Sequence, residues 1–122
     1  MDQPLVMIID DDPDLCESLW DVFRENGFRV CVAHSLDDAA VRLQETNLNV
    51  ALIDMRLPTG DGRQVFQLIR QTHPEAHTIV ITGYRSETEQ LVAQVLAAGA
   101  DAVCYKPFDV NSLLETVNTL AK

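Results

Sequence analysis

Five short apolar runs recur along the chain, and they constrain the fold more than any other feature of the sequence. Each run is continuous and does not alternate with polar residues. That pattern is typical of strands that are covered on both faces of a parallel sheet. The runs occupy residues 5–9, 30–33, 50–53, 78–81 and 102–105.

Amphipathic stretches separate these runs and predict five helices. Asp12 followed by Pro13 is typical of an N-cap and a first helical residue. Ser86 begins a capping-box pattern, and Gly27 and Gly99 stand where helices should end. Strands that alternate with helices favour right-handed crossovers and a sheet with helices on both sides. We therefore expect one α/β domain, (βα)₅, over residues 1–122, with helices near 14–26, 35–45, 62–72, 86–98 and 109–121.

The composition narrows the classes of function. Nine basic and 19 acidic residues give a formal charge of −10, which opposes binding to nucleic acid and to anionic membranes. The sequence has neither a signal-peptide pattern nor an apolar run long enough for a membrane span, so we expect a cytoplasmic protein. Its three cysteines lie in apolar segments without a C-x-x-C pair, which favours reduced core thiols.

Polar residues follow all five predicted strands, but those after the second, His34 and Ser35, offer neither a carboxylate nor an ammonium group. Asp10 and Asp11 follow the first, Asp54 the third, Thr82 the fourth and Lys106 the fifth. Ligands of such sheets bind beyond the carboxyl ends of the strands, so we expect these side chains to share one site. Several carboxylates in one space require a raised pKa or a bound cation, and oxygen ligands with room for water suit Mg²⁺.

A carboxylate beside a cation, an ammonium group and a hydroxyl is an arrangement suited to phosphoryl transfer. The protein's part in that reaction is to position groups and to neutralise charge on the phosphoryl oxygens. We expect Asp54 to be the nucleophile that forms an acyl phosphate. Lys106 would contact one phosphoryl oxygen and Thr82 another.

These segments resemble the receiver domain of bacterial two-component response regulators. The resemblance covers almost the whole chain, with motifs in the order and spacing of that family. The motifs are IIDDD at 8–12, ALIDMRLP at 51–58 with DG at 61–62, IVITG at 79–83, AGAD at 98–101 and KPF at 106–108. The resemblance implies a flavodoxin-like, doubly wound fold with a five-stranded parallel sheet of order 2-1-3-4-5.

The resemblance also implies roles for particular residues. Asp54 would accept its phosphoryl group from the phosphohistidine of a histidine kinase. The carboxylates of Asp10, Asp11 and Asp54 and the backbone carbonyl of Arg56 would bind Mg²⁺ or Mn²⁺. Thr82 and Lys106 would sense the phosphoryl group.

Further implications concern the rim of the site. The peptide bond between Lys106 and Pro107 would be cis, which a proline makes inexpensive. Arg56 and Tyr84 occupy positions associated with the rate of dephosphorylation. Many receivers have an aromatic residue three positions before the lysine, where this chain has Val103. The aromatic half of the usual threonine–aromatic coupling is therefore in doubt.

The partners follow from the same resemblance. We expect a sensor histidine kinase or phosphotransfer protein, no direct contact with nucleic acid or membrane, and a homodimer through the fourth helix, fifth strand and fifth helix. The chain would be the N-terminal receiver of a larger, transcriptional regulator, or alternatively a stand-alone phosphorelay regulator. In neither case would it have a turnover substrate of its own.

Two rival readings carry different expectations. An aspartate-dependent phosphatase would have a second carboxylate two residues after the nucleophile, where this chain has Arg56. A degenerate receiver would bind partners without being phosphorylated, which the retained acidic residues, Thr82 and Lys106 argue against.

Other residues have weaker interpretations. We expect the three histidines to lie at the surface without a metal, and Trp20 to pack on the flank of the first helix or to anchor a partner. The fourth helix has a small, uncharged outer face that is either plain surface or an interaction site, formed by Gln90, Ala93, Gln94 and Ala97.

Overall fold

A central parallel sheet dominates the computed structural model, which describes residues 3–58, 60–83 and 85–121. The sheet has five strands. They are β1 (Leu5–Ile9), β2 (Arg29–Ala33), β3 (Val50–Asp54), β4 (His77–Thr82) and β5 (Ala102–Tyr105). Their order is β2-β1-β3-β4-β5 and every pairing is parallel. The predicted flavodoxin-like topology is confirmed.

Five helices connect and cover the strands. Asp12 is the N-cap of the first helix with Pro13 at its first position, as predicted. Gly27 and Gly99, just after the first and fourth helices, have φ of 90° and 115°, a region that glycine adopts without steric cost. The helices are α1 (Pro13–Glu25), α2 (Leu36–Glu45), α3 (Gly62–Thr72), α4 (Arg85–Ala97) and α5 (Val110–Ala121).

The predicted cap of the fourth helix is wrong. Helix α4 already begins at Arg85, so Ser86 lies inside its first turn and is exposed. The capping box in the structure belongs to α3, where the Asp61 side chain accepts from the Gln64 amide and the Gln64 side chain accepts from the Asp61 amide. The Asp-x-x-Gln spacing there was as informative as the Ser-x-x-Glu spacing on α4.

Each face of the sheet has its own apolar core, because successive strand residues point to opposite sides. Met7 and Ile9 of β1 pack with buried residues of α2, α3 and α4. Val6 and Ile8 pack with buried residues of α1 and α5. All five residues of β1 and all five of β3 are buried, which explains why their sequences are continuous apolar runs.

Between β3 and α3 the chain makes a short antiparallel pair, Arg56–Leu57 with Gly60–Asp61, that was not predicted. The chain returns so closely that a Cβ atom at Gly62 would lie 2.5 Å from the Asp54 carbonyl oxygen and 2.9 Å from the Cα of Met55. Only glycine fits there, so the start of α3 is held directly against the end of β3.

Burial and helix length bear on several smaller expectations. Cys16 is buried, and the two half-buried cysteines, Cys31 and Cys104, pack against the cores as free thiols. Trp20 is 37% exposed, with the Arg24 guanidinium 5.7 Å from its ring centroid. Among the described residues, no helix combines the length and apolar character needed to span a membrane.

Candidate functional site

The predicted site residues meet at the carboxyl edge of the sheet. Strands β1 and β3 pair with Ile9 opposite Ile53, so Asp10 and Asp54, one residue later on each strand, lie side by side. Asp11 extends from the loop after β1. Each of these three residues offers a carboxylate oxygen within 4.8 Å of the others. No other acidic, histidine or cysteine group in the described parts of the chain forms such a cluster.

Lys106 reaches this cluster from the end of β5. Its Nζ lies 2.7 Å from Asp10 Oδ2 and 3.3 Å from Asp54 Oδ2. The side chain thus spans the width of β4 to place its ammonium between two carboxylates. The peptide bond between Lys106 and Pro107 is cis, as the resemblance implied.

Backbone amides orient the two carboxylates. The Asp12 amide donates to Asp10 Oδ1 at 2.9 Å, and the Arg56 amide donates to Asp54 Oδ1 at 3.1 Å. Each carboxylate therefore uses one oxygen to satisfy the loop that follows its strand and directs the other to Lys106. This division fixes the direction of both groups without leaving a buried oxygen unpaired.

Burial changes the acidity of the Asp54 carboxylate. Asp10 is fully buried and Asp54 is 5% exposed, whereas Asp11 is exposed. Loss of solvation raises the pKa of Asp54 to about 6, although the Arg56 amide and the Lys106 ammonium oppose that change and the Asp10 charge adds to it. Burial would lower the pKa of Lys106, but the hydrogen bond and charge of Asp10, with help from Asp54, raise it overall.

An open cavity of about 680 Å³ lies over the cluster. A Cβ atom at Gly83 would be 3.5 Å from Lys106 Cβ, an ordinary contact, so Gly83 widens the cavity without being sterically required. The cavity has room for a hydrated cation and a phosphoryl group together. Its lining includes Asp11, Asp12, Asp54, Arg56, Leu57, Pro58, Gly83, Lys106 and Pro107.

Two residues that the sequence analysis did not assign to the site contact the backbone of Asp10. Cys16 Sγ donates to the Asp10 carbonyl oxygen at 3.4 Å, and His34 Nδ1 lies 3.1 Å from the same oxygen. Burial, reinforced by the Asp10 charge, raises the pKa of the Cys16 thiol to about 12. The thiol is therefore an inert structural donor, and the end of β2 contributes to the site through His34.

Thr82, the last residue of β4, is fully buried, and its hydroxyl contacts helix α4. Thr82 Oγ1 lies 3.1 Å from Oγ1 of Thr88, a buried residue in the first turn of α4. Thr88 escaped the sequence interpretation, although a hydroxyl four residues before Val92 on the apolar stripe of that helix was a usable signal.

The remaining predicted residues occupy the rim. Arg56 is exposed and its amide faces Asp54, while the role of its carbonyl stays a prediction. Tyr84 lies outside the described residues. Val103 is half-buried and packs against the core beneath α2, α3 and α4.

The donor set suits a hard divalent cation. The three carboxylates supply only oxygen ligands, and one of them is exposed to water. The ammonium group of Lys106, which bonds to Asp10, shows that a positive charge is stabilised in this cluster. Such a set favours Mg²⁺ or Mn²⁺ over zinc, which prefers nitrogen and sulfur ligands.

Comparison with known proteins agrees with this geometry. The family model for the response regulator receiver domain matches residues 6–118. The response regulator protein PilR of Pseudomonas aeruginosa is 34% identical over 119 residues, which is 98% of this chain and 26% of PilR. The chain thus spans about a quarter of PilR, 49% of CpxR of Escherichia coli and 23% of HoxA of Cupriavidus necator.

Solved structures give the same answer. A CheY-like receiver domain protein from Methanospirillum hungatei has a TM-score of 0.87 at 27% identity, covering 96% of this chain and 92% of that one. The NtrC4 receiver domain, solved as a beryllofluoride-activated dimer, has a TM-score of 0.84 at 28% identity, covering 95% and 94%. The chain belongs to the response regulator receiver domain family, the phosphorylation switches of two-component systems.

Proposed function

We propose that Asp54 is the residue that accepts the phosphoryl group. The observation that carries the proposal is the orientation of this carboxylate. One oxygen accepts from the Arg56 amide, and the other faces Lys106 at the floor of an open cavity. A phosphoryl group bound there would leave its oxygens within reach of an ammonium group.

The transfer itself needs little more than positioning. A carboxylate oxygen of Asp54 attacks the phosphorus of a phosphohistidine, the new P–O bond forms and the P–N bond breaks, and the histidine keeps the electron pair of that bond. Lys106 balances charge on one phosphoryl oxygen. The Thr82 hydroxyl donates to another once it turns toward the site.

We also propose that Asp10, Asp11, Asp54 and the backbone carbonyl of Arg56 bind Mg²⁺ or Mn²⁺. The cation, when bound, neutralises charge that develops on the phosphoryl oxygens. The chain's own part is to keep Asp10 and Asp54 fixed by backbone amides and to leave Asp11 exposed for water-assisted binding. Beryllofluoride activation of NtrC4 supports the same chemistry here.

The kind of protein in which this domain acts is proposed from its relatives. PilR, the first of them, is a longer regulator protein and CpxR and HoxA are transcriptional regulators. We propose that residues 1–122 form the N-terminal receiver of such a protein, with a stand-alone regulator as the alternative. It would receive its phosphoryl group in the cytoplasm from a histidine kinase or phosphotransfer protein, and would dimerise through α4, β5 and α5. The beryllofluoride-activated NtrC4 receiver domain is a dimer, which supports the formation of a dimer.

The alternative hypothesis, an aspartate-dependent phosphatase, has less support. The position two residues after Asp54 carries Arg56, which supplies a backbone donor to the carboxylate and not a general acid. We therefore propose a switch without a turnover substrate. The charge of −10 further suits a partner with a basic rim and opposes direct contact with nucleic acid.

The test is labelling by acetyl phosphate in the presence of Mg²⁺, measured by intact-protein mass spectrometry. The wild-type chain should gain one hydroxylamine-labile phosphate, and Asp54→Asn should gain none. Asp101→Asn, which changes an aspartate at the opposite edge of the sheet, is the matched control and should label normally. Equal labelling of Asp54→Asn and wild type would overturn the assignment.

A further inference from the structure

We propose that Thr88 is a positioning residue that holds the Thr82 hydroxyl on helix α4 while the domain is unphosphorylated. The inference rests on the proposed function, because Thr82 is assigned there to the phosphoryl group. Its observation is the 3.1 Å contact between the two hydroxyl oxygens. Nothing in the family motifs quoted above includes Thr88.

Both hydroxyls are withdrawn from water. Thr82 is fully buried and Thr88 is 1% exposed. Buried hydroxyls need protein partners, and each hydroxyl has a single proton to donate. The contact between them is therefore favoured over solvent in a way that an exposed pair would not be.

Thr88 occupies a position where the helix otherwise needs an apolar side chain. It shares the inward stripe of α4 with Val92 and Val95, which are 4% and 1% exposed. A valine at position 88 would continue that stripe with nearly the same shape. The hydroxyl is thus the feature that distinguishes Thr88 from a simple packing residue.

The backbone of Thr82 is fixed, so its hydroxyl can move only by rotation about χ1. Thr82 pairs with Tyr105 across β4 and β5, and its carbonyl accepts from the Lys106 amide at 2.8 Å. A threonine side chain has few favoured rotamers. Turning the hydroxyl toward a phosphoryl group therefore weakens its contact with Thr88, unless the first turn of α4 follows.

This contact gives α4 a direct mechanical link to the site. Val103 is apolar and has no polar group with which to bond Thr82, so β5 cannot provide that link through this position. The Thr88 hydroxyl lies on α4 itself. The geometry points to the threonine pair as the element that competes with the phosphoryl group and transmits its arrival to α4.

The test compares three variants by calorimetric titration of beryllofluoride at saturating Mg²⁺. Thr88→Val removes the competing hydroxyl and should tighten beryllofluoride binding about fivefold, the effect of one net hydrogen bond. Thr88→Ser keeps the hydroxyl and should match wild type. Thr78→Val removes another buried threonine hydroxyl at the far end of β4 and should also match wild type.

Two further readouts separate this role from a structural one. The affinity for Mg²⁺ alone should be the same in all four proteins. Amide NMR signals of α4 in metal-free Thr88→Val should move toward their positions in beryllofluoride-bound wild type, while the melting temperature shows that the variant is folded.

The outcomes are distinct. Unchanged or weaker beryllofluoride binding by Thr88→Val, or an equal shift in Thr88→Ser, would overturn the inference and leave the role of Asp54 intact. Absence of beryllofluoride binding by wild type would overturn the proposed function, and this inference with it.

Discussion

The two edges of the sheet both carry polar residues, yet they use them differently. At the carboxyl edge, Asp10 and Asp54 each direct one oxygen at Lys106. At the amino edge, Asn49 Oδ1 accepts from the Leu5 amide at 2.8 Å, and Asp101 Oδ2 accepts from the Thr78 amide at 3.0 Å. The amino-edge side chains close the starts of strands, whereas the carboxyl-edge side chains face one another.

The presence of a cavity does not by itself distinguish the carboxyl edge from the amino edge. One of about 580 Å³ opens at the amino edge, similar in size to the cavity over the acidic cluster. Several of its polar side chains are already engaged by backbone groups: Arg29 Nε donates to the Gln3 carbonyl at 2.9 Å, and His73 Nε2 lies 2.8 Å from the Thr46 carbonyl. Polar residues at strand ends thus mark a site only when their functional atoms converge on shared space.

The largest expected effect comes from removing the Lys106 ammonium group, which bonds to two carboxylates. Lys106→Met should weaken beryllofluoride binding on the order of 1,000-fold, because truncating one partner of a hydrogen-bonded charge pair costs about 2–5 kcal/mol. Its affinity for Mg²⁺ alone should be retained or improved, since the ammonium occupies oxygens that the cation would use. Calorimetry with both ligands measures the two effects.

The matched control removes a cation at the amino edge. Arg29→Met should bind both ligands as wild type does, because Arg29 lies at the other end of the strands. A collapse of Mg²⁺ affinity in Lys106→Met, with beryllofluoride still bound normally, would show that the lysine serves the metal and not the phosphoryl group.

The next effect concerns stability against pH in metal-free buffer. The pKa of Asp54 is about 6 in the folded domain, above the ordinary 3.8 of an unfolded chain. Between these values the folded state holds a proton that the unfolded state has lost, so this contribution is complete below pH 4 and disappears as pH rises through 6. The associated loss of unfolding free energy is at most about 3 kcal/mol.

Urea unfolding of wild type and Asp54→Asn from pH 4 to 8 with a chelator measures this pH-dependent change in unfolding free energy. The asparagine variant should lose less stability across that range and be the more stable protein at pH 8. Added Mg²⁺ should stabilise wild type above pH 6 and have a smaller effect on the variant. Parallel pH curves for the two proteins would contradict a crowded, desolvated carboxylate.

A smaller effect is expected at the amino edge. Asn49→Ala removes the acceptor of the Leu5 amide, which should cost about 1–2 kcal/mol of unfolding free energy, as for a lost partner of a part-buried donor. Acetyl phosphate labelling of Asp54 should be unchanged at a temperature where the variant is folded. Loss of labelling in the folded variant would show that the two edges are coupled and not independent.

The sequence predicted the strands well because buried strands in a parallel sheet leave little ambiguity. The first and fifth predicted strands match the observed ones, and the other three differ by one residue at one or both ends. The site was predicted because strand ends must meet at one edge. The strand order came from family resemblance and was confirmed by the pairing.

What the sequence did not predict depends on side-chain direction and on where an element begins. The predicted cap at Ser86 lies inside α4, which begins at Arg85. The contact of Thr88 with Thr82 depends on the direction of both side chains, which the spacing of Thr88 and Val92 does not give. The contacts of Cys16 and His34 with the Asp10 carbonyl cross between elements that no local pattern relates. Such contacts follow from packing, which short-range spacing does not encode.

The smallest effect concerns how long a phosphoryl group persists at the carboxyl edge. Hydrolysis needs a water in line with the acyl phosphate bond, approaching through the open cavity that Arg56 lines. Arg56 and Tyr84 are bulky residues at the two positions that the family associates with dephosphorylation rate. We expect them to slow water's approach, giving a lifetime about tenfold longer than in fast chemotaxis-type receivers, or about 1.4 kcal/mol of barrier.

Loss of radiolabelled phosphate from the purified phosphoprotein measures that lifetime. The double variant Arg56→Asn, Tyr84→Ala should lose phosphate faster by about the same factor. Arg29→Met, which changes a side chain at the amino edge, is the control and should leave the decay unchanged. Equal decay in wild type and the double variant would refute the shielding while leaving Asp54 as the acceptor. Since the amino-edge groups already bond to backbone atoms, substitutions there should leave this decay unchanged, so the lifetime is a property of the carboxyl edge alone.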